Sequence, residues 1–121
     1  MTTVMIVEDR EMISDAIREM LLVSGYEVSG IASGGKEALE KYPAIRPDIV
    51  LMDLLLPDIS GLEVAREILR IDPAATFLAI TAVTKDGLIE ECMEAGFKGL
   101  IRKPFRMKEL LSSIESALGN G

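Results

Sequence analysis

Apolar residues in this chain fall into two kinds of segment that alternate along the sequence. Short apolar runs predict five strands, at residues 4–7, 27–31, 49–52, 77–80 and 100–101. Longer stretches between them have helical spacing, and the first of these carries Ile13, Ile17 and Leu21 on one face. Strands that alternate with helices need crossover connections, so the pattern predicts an α/β fold with a parallel sheet.

Glycine residues mark several of the predicted boundaries. Gly25 suits the end of the first helix, Ser33-Gly34-Gly35 opens the second, and Gly96 closes the fourth. The pattern therefore predicts five strands and five helices, without an internal repeat or a low-complexity linker. We predict a single domain over residues 1–121, in which residues 119–121 are a frayed end or the start of a linker.

The residues that follow the strands are the candidates for chemistry. Ligands of doubly wound sheets bind beyond the carboxyl ends of the strands. The side chains at these ends are Glu8 and Asp9 after strand one, Asp53 on strand three, Thr81-Ala82 on strand four, and Lys103-Pro104 after strand five. Because the strands are predicted to be parallel, these residues should meet at one edge of the sheet.

Three carboxylates at one edge repel one another, and a hard divalent cation would relieve that repulsion. Mg²⁺, or Mn²⁺ in its place, prefers a few carboxylates together with water and substrate phosphate. Phosphoryl transfer needs positioning and charge neutralisation more than acid–base groups, and a carboxylate can serve as its nucleophile. Carboxylates, a hydroxyl and an ammonium group therefore suit the formation of an aspartyl phosphate.

Composition excludes several other functions. The chain contains 13 Lys and Arg and 20 Asp and Glu, so its net charge is −7. Such a negative charge repels a phosphate backbone, and we predict that this domain does not bind nucleic acid. The chain contains no histidine, which removes imidazole metal sites and histidine-based dyads. No apolar run reaches the roughly 18 residues of a membrane span. With one cysteine, Cys92, and no signal-peptide pattern, we predict a cytoplasmic protein without membrane contact.

The strand-end residues and their surroundings together resemble the receiver domain family of two-component signalling. The matching motifs are Val7-Glu8-Asp9, Pro47 to Asp53, Leu56 to Gly61, Thr81-Ala82, Glu94-Ala95-Gly96 and Lys103-Pro104-Phe105. Each motif is weak alone, but they span almost the whole chain in the order of the family. The resemblance implies a flavodoxin-like α/β fold: a doubly wound five-stranded parallel sheet of order 2-1-3-4-5 with five flanking helices.

The resemblance also implies a role for each residue around the metal. Asp53 is expected to be the phosphoacceptor and a metal ligand, and Asp9 to bind Mg²⁺ directly. Glu8 is expected to act through a metal-bound water, and the backbone carbonyl of Leu55 to be a further ligand. Glu8 itself departs mildly from the family, in which an aspartate is commoner at this position.

Further residues are expected to contact the phosphoryl group. By the same resemblance, Lys103 pairs with a phosphate oxygen, Thr81 donates its hydroxyl, and the Ala82 amide assists. The bond before Pro104 is expected to be cis, which only an X–Pro bond allows at low cost. The phosphoryl donor would be a sensor histidine kinase or a histidine phosphotransfer protein. The phosphorylated domain would switch the face made by the fourth helix, fifth strand and fifth helix toward an output domain or partner. The domain would catalyse only its own phosphorylation and slow autodephosphorylation.

Four further positions depart from the family or are expected to adjust its chemistry. Leu100 replaces the usual aromatic switch residue, so an aromatic ring cannot turn inward here. Ser113 stands where winged-helix transcription factors carry an arginine for a dimer salt bridge. Leu55 and Val83 occupy the two positions that flank the approach of a hydrolytic water, and both are apolar.

Three other functions are compatible with parts of the pattern. A flavodoxin-like FMN carrier would need a phosphate loop rich in Ser, Thr and Gly where this chain has Glu8-Asp9-Arg10-Glu11. A small phosphohydrolase with an aspartate nucleophile would carry a second Asp where Leu55 stands. A receiver that has lost phosphorylation would bind partners only. Each strand-end residue could also be merely structural, and the functional interpretation depends on their occurring together.

Overall fold

The structure is a computed structural model and describes residues 1–83 and 85–119. Within them, strands and helices alternate as the sequence predicts. The strands are β1 (Thr3–Val7), β2 (Glu27–Ala32), β3 (Ile49–Asp53), β4 (Phe77–Thr81) and β5 (Gly99–Arg102). The helices are α1 (Glu11–Val23), α2 (Gly35–Ile45), α3 (Gly61–Ile71), α4 (Leu88–Ala95) and α5 (Met107–Ala117).

All strand pairs are parallel, and the sheet has the order β2-β1-β3-β4-β5. The doubly wound α/β fold and its strand order are therefore confirmed. The apolar strands β1 and β3 lie side by side inside the sheet. The chain reverses direction across the sheet between these two strands, so their carboxyl ends are the switch point at which such folds bind ligands.

Side chains alternate between two cores, one on each face of the sheet. Met5 and Val7 of β1 pack into the core beneath α2, α3 and α4. Val4 and Ile6 pack into the core beneath α1 and α5. A strand buried on both faces has no polar face, which explains the continuous apolar runs of the sequence.

The described residues end just after α5, at Gly119. Gly119 follows α5 with a positive φ of 78°, a conformation that favours glycine. The predicted frayed end at residues 119–121 otherwise lies outside the described residues and stays a prediction. None of the described helices combines the length and the apolar character needed to cross a membrane.

Candidate functional site

The carboxyl ends of β1 and β3 bring three acidic side chains together. Glu8 and Asp9 follow the last residue of β1, and Asp53 is the last residue of the neighbouring strand β3. One carboxylate oxygen from each of the three lies within 4.8 Å of the other two. The convergence that the parallel topology predicts is therefore present. Glu8 and Asp53 are buried, whereas Asp9 is exposed.

Lys103 places a positive charge beside the two buried carboxylates, Glu8 and Asp53. It follows β5, and its Nζ lies 2.6 Å from Glu8 Oε1 and 3.2 Å from Asp53 Oδ2. Both carboxylates are almost fully buried, at 3% and 5% exposure, so leaving either without a partner would be costly. The peptide bond between Lys103 and Pro104 is cis, as expected. The Lys103 ammonium group contacts two of the three carboxylates, and the acidic group keeps an excess of negative charge.

The second oxygen of each buried carboxylate accepts a backbone hydrogen bond. The N–H of Leu55 donates to Asp53 Oδ1 at 3.1 Å, and the N–H of Arg10 donates to Glu8 Oε2 at 2.9 Å. Arg10 is the residue just before α1, so Glu8 also fixes the start of that helix. Both oxygens of Glu8 are thus engaged within the protein.

Thr81 lies fully buried at the end of β4. Its Oγ1 accepts the N–H of Val83 at 3.1 Å, and a hydroxyl that accepts one bond can still donate its own hydrogen. The backbone N–H of Lys103 donates to the Thr81 carbonyl at 2.8 Å, which ties the ends of β4 and β5 together. The threonine and lysine of the predicted set are therefore directly linked through the backbone.

An open cavity of about 360 Å³ lies over this edge of the sheet. It is lined by Asp9, Arg10, Asp53, Leu55, Leu56, Pro57, Ala82 and Lys103. Five of these lining residues belong to the predicted site, and Arg10, Leu56 and Pro57 were not predicted as site residues. Each lies one or two residues after a predicted site residue, and Leu56 and Pro57 open one of the matching motifs.

Gly61 is required where the loop after β3 folds back on Asp53. Its N–H donates to the Leu54 carbonyl at 3.0 Å, and an added Cβ would overlap the backbone carbonyl of Asp53. Gly61 is therefore needed for backbone geometry at this point of the loop. Only glycine lets α3 begin this close to the end of β3.

The donor set fits a hard cation. All three side chains of the acidic group offer carboxylate oxygens, the ligands that Mg²⁺ prefers, and no sulfur or imidazole takes part. Asp9 is the exposed member, placed where an ion can enter from solvent. This arrangement suits a cation that keeps some of its water.

Comparison with known proteins decides the family. Residues 4–115 match the family model of the response regulator receiver domain. The chain belongs to the response regulator receiver domain family. The family match and the CheY relatives assign this receiver domain to two-component signalling, in which receivers serve as phosphoacceptors. They also set aside the FMN carrier and the phosphohydrolase as interpretations.

Relatives of this receiver domain occur alone and within longer proteins. The chemotaxis protein CheY of Thermotoga maritima is 35% identical over 111 residues, which cover 92% of each chain. The response regulator GacA of Pseudomonas viridiflava is 34% identical over 115 residues, which cover 94% of this chain but 54% of GacA. A crystal structure of the CheX-CheY-BeF3-Mg complex from Borrelia burgdorferi is similar, with a TM-score of 0.92 and 27% identity. That match covers 95% of this chain and 87% of the other.

Proposed function

We propose that this receiver domain accepts a phosphoryl group on the Asp53 carboxylate. The observation that carries the proposal is the position of Asp53 at an open cavity, 3.2 Å from the Lys103 ammonium group and within 4.8 Å of Asp9. The mass of the intact protein after treatment with acetyl phosphate and Mg²⁺ tests it. One added phosphoryl group supports the proposal, and an unchanged mass contradicts it.

The proposed reaction is a displacement at phosphorus. An Asp53 oxygen forms the new P–O bond while the P–N bond of the donor phosphohistidine breaks, and the leaving imidazole nitrogen takes a proton from solvent. Lys103 stabilises charge on the phosphoryl oxygens, to which the Thr81 hydroxyl and the Ala82 N–H donate hydrogen bonds. The domain is proposed to catalyse only this phosphorylation and a slow autodephosphorylation.

The proposed cation is Mg²⁺ or Mn²⁺. Asp9, Asp53 and the backbone carbonyl of Leu55 would hold it directly, and Glu8 would act through a bound water. Both oxygens of Glu8 already accept protein hydrogen bonds, which favours this indirect role. When bound, the cation neutralises negative charge on the transferring phosphoryl group. The similar CheY from Borrelia burgdorferi was crystallised with BeF3 and Mg, which supports the choice of metal.

Mg²⁺ is expected to raise the melting temperature of the wild type and to leave that of Asp9→Ala nearly unchanged. A ligand that binds only the folded state stabilises by mass action, about 2.7 kcal/mol at a hundredfold excess over Kd. Removing Asp9 takes away a direct ligand and also relieves repulsion in the metal-free protein. Thermal unfolding at increasing Mg²⁺ concentration measures the response.

Asp15→Ala is the matched control for Asp9→Ala. Asp15 is an exposed carboxylate on α1, and its removal changes the net charge equally without touching the acidic group. This variant should keep the wild-type response to Mg²⁺. An Asp9→Ala protein that gains as much stability from Mg²⁺ as the wild type would show that Asp9 is no ligand.

The donor is proposed to be a sensor histidine kinase or a histidine phosphotransfer protein. A mainly apolar groove of about 510 Å³ continues from the cavity and shares Arg10, Ala82 and Lys103 with it. Its apolar lining includes Met12 and Ile13 of α1 and Phe105 beyond β5. A protein that buries an apolar surface in this groove would hold its phosphohistidine next to Asp53.

Met12→Lys is expected to slow phosphotransfer from a protein donor about tenfold, the effect of about 1.4 kcal/mol of binding energy. Met12 is 86% exposed, so the substitution should not disturb the fold. Phosphorylation by acetyl phosphate should remain at the wild-type rate, because that donor does not need the groove. Rates of phosphoprotein formation with the two donors measure the difference.

Val23→Lys is the control for the groove. Val23 is an equally apolar residue of α1, 75% exposed, and it does not line the groove. It should leave both rates unchanged. Equal slowing with both donors, or the same loss in Val23→Lys, would contradict docking at this surface.

The proposed output surface is the face formed by α4, β5 and α5. Ile89 and Met93 of α4 are about half exposed there, at 48% and 51%. The backbone link from Thr81 to Lys103 connects the site to β5, so movement of Thr81 toward a phosphoryl group would reach this face. Leu100 on β5 is partly buried against the core and stands at the predicted switch position.

The domain is proposed to span the whole chain and to lie in the cytoplasm. Residues 1–121 are proposed to be one domain, since a single sheet runs through the described part of the chain. The proposed location is the cytoplasm, because Cys92 is a buried free thiol and free thiols are typical of reducing compartments.

A further inference from the structure

The loop after the phosphoacceptor strand supplies the N-terminal cap of a distant helix. Asp58 Oδ1 accepts the N–H of Gly35 at 2.8 Å, and Oδ2 accepts the N–H of Lys36 at 2.9 Å. These are the first two residues of α2, whose own N-cap residue, Gly34, has no side chain to offer. Helix α2 is therefore capped by a carboxylate that lies more than 20 residues away in sequence.

The surroundings of Asp58 are shaped for this contact. A Cβ on Gly34 would lie 3.2 Å from Asp58 Oδ1, and a Cβ on Gly35 would lie 2.8 Å from Val64 Cγ2. Gly34 thus leaves room for the carboxylate, and Gly35 leaves room for Val64 of α3. The amide donors of Lys36 and Gly35 lower the pKa of Asp58 to about 2, so the cap stays charged well below neutral pH.

Asp58 also fixes one end of the segment that carries a proposed metal ligand. At the other end, the Leu54 N–H donates to the Ile80 carbonyl at 3.3 Å, and the Leu54 carbonyl accepts the Gly61 N–H at 3.0 Å. Leu55 lies between these anchors with a side chain that is 70% exposed and does not hold the backbone in place. The Leu55 N–H is held by Asp53 Oδ1 at 3.1 Å and Leu56 is buried in the core, so Asp58 adds the hold on the far side of the loop, beyond Leu56.

We propose that Asp58 is a positioning residue for the metal site: by fastening the β3–α3 loop to the start of α2, it holds the Leu55 carbonyl where a cation needs it. This inference rests on the proposed metal site. Groups that do not bind the metal themselves but hold its ligands in position typically contribute 10- to 100-fold to metal affinity. Because coupling between two sites is reciprocal, Mg²⁺ should in turn stabilise the start of α2.

The test is Mg²⁺ binding to the full chain by calorimetry, in the wild type and three variants. Asp58→Ala removes both acceptor oxygens and should weaken Mg²⁺ binding about tenfold. Asp58→Asn keeps one acceptor oxygen and should lose less. Ser60 lies in the same loop and caps α3, because its Oγ accepts the Glu63 N–H at 3.2 Å. Ser60→Ala therefore removes a helix cap without affecting the link to α2. Its affinity should stay within about twofold of wild type, although both alanine variants lose a helix cap.

Hydrogen exchange of the Gly35 and Lys36 amides gives a second readout. Mg²⁺ should slow exchange of both amides in the wild type and in Ser60→Ala, and have no such effect in Asp58→Ala. An unchanged Mg²⁺ affinity in both Asp58 variants, or an equal loss in Ser60→Ala, would overturn the positioning role alone. A wild type that binds no Mg²⁺ would instead overturn the metal site and the inference with it.

Discussion

Asp53→Asn is expected to take up no phosphoryl group from acetyl phosphate or from a phosphohistidine donor. The amide retains the size of the carboxylate and an oxygen that can accept the Leu55 N–H, which is now 3.1 Å from Asp53 Oδ1. It lacks the anionic oxygen that forms the new bond to phosphorus. Intact-mass measurement suits this test, because the chain contains no Trp for fluorescence quenching.

Two controls separate loss of the acceptor from loss of any surface carboxylate and from loss of the cation. Asp15→Asn changes an exposed carboxylate on α1 and should be phosphorylated like the wild type. EDTA should abolish phosphorylation of the wild type if the cation is required. Equal labelling of Asp53→Asn and wild type would place the phosphoryl group elsewhere. A wild type that takes up nothing would favour a receiver that binds partners without phosphorylation.

The fold was predictable where local pattern and burial agree. Strands β1, β3 and β4 are buried on both faces, so each appears in the sequence as an unbroken apolar run. The end of helix α2 is difficult to predict from the sequence, because Pro43 lies inside the helix and proline usually ends one. The helix nevertheless continues to Ile45, and Arg46 then adopts a left-handed conformation with φ of 39°.

The candidate site was predictable only as far as topology determines it. Parallel strands place Asp9, Asp53 and Lys103 at one edge whatever their side-chain contacts are. Sequence does not show that Lys103 lies closer to Glu8, at 2.6 Å, than to Asp53, at 3.2 Å, because that depends on side-chain reach within the folded site. Nor does it reveal that Asp58 caps α2, since an aspartate after a proline is typical of an ordinary turn.

The lifetime of the phosphorylated state is expected to depend on Leu55 and Val83. By resemblance to the family, these residues flank the approach of the water that hydrolyses the aspartyl phosphate. Leu55 lines the cavity and is 70% exposed, whereas Val83 is partly buried and packs against the core. Neither side chain can hydrogen-bond a water, so both should exclude it, and autodephosphorylation should be slow.

Leu55→Asn combined with Val83→Glu is therefore expected to speed autodephosphorylation about tenfold or more, a reduction of about 1.4 kcal/mol in the barrier. Polar groups at these positions can orient the attacking water, which is a positioning effect. The measurement is the decay of phosphoprotein after removal of the donor, at constant Mg²⁺.

Leu55→Ala serves as a control, because it removes apolar bulk without adding a polar group. If exclusion alone sets the rate, Leu55→Ala should accelerate decay as much as Leu55→Asn, and if orientation contributes, it should accelerate decay less. A wild type that decays within seconds, or a double variant no faster than wild type, would rule out control by these two residues.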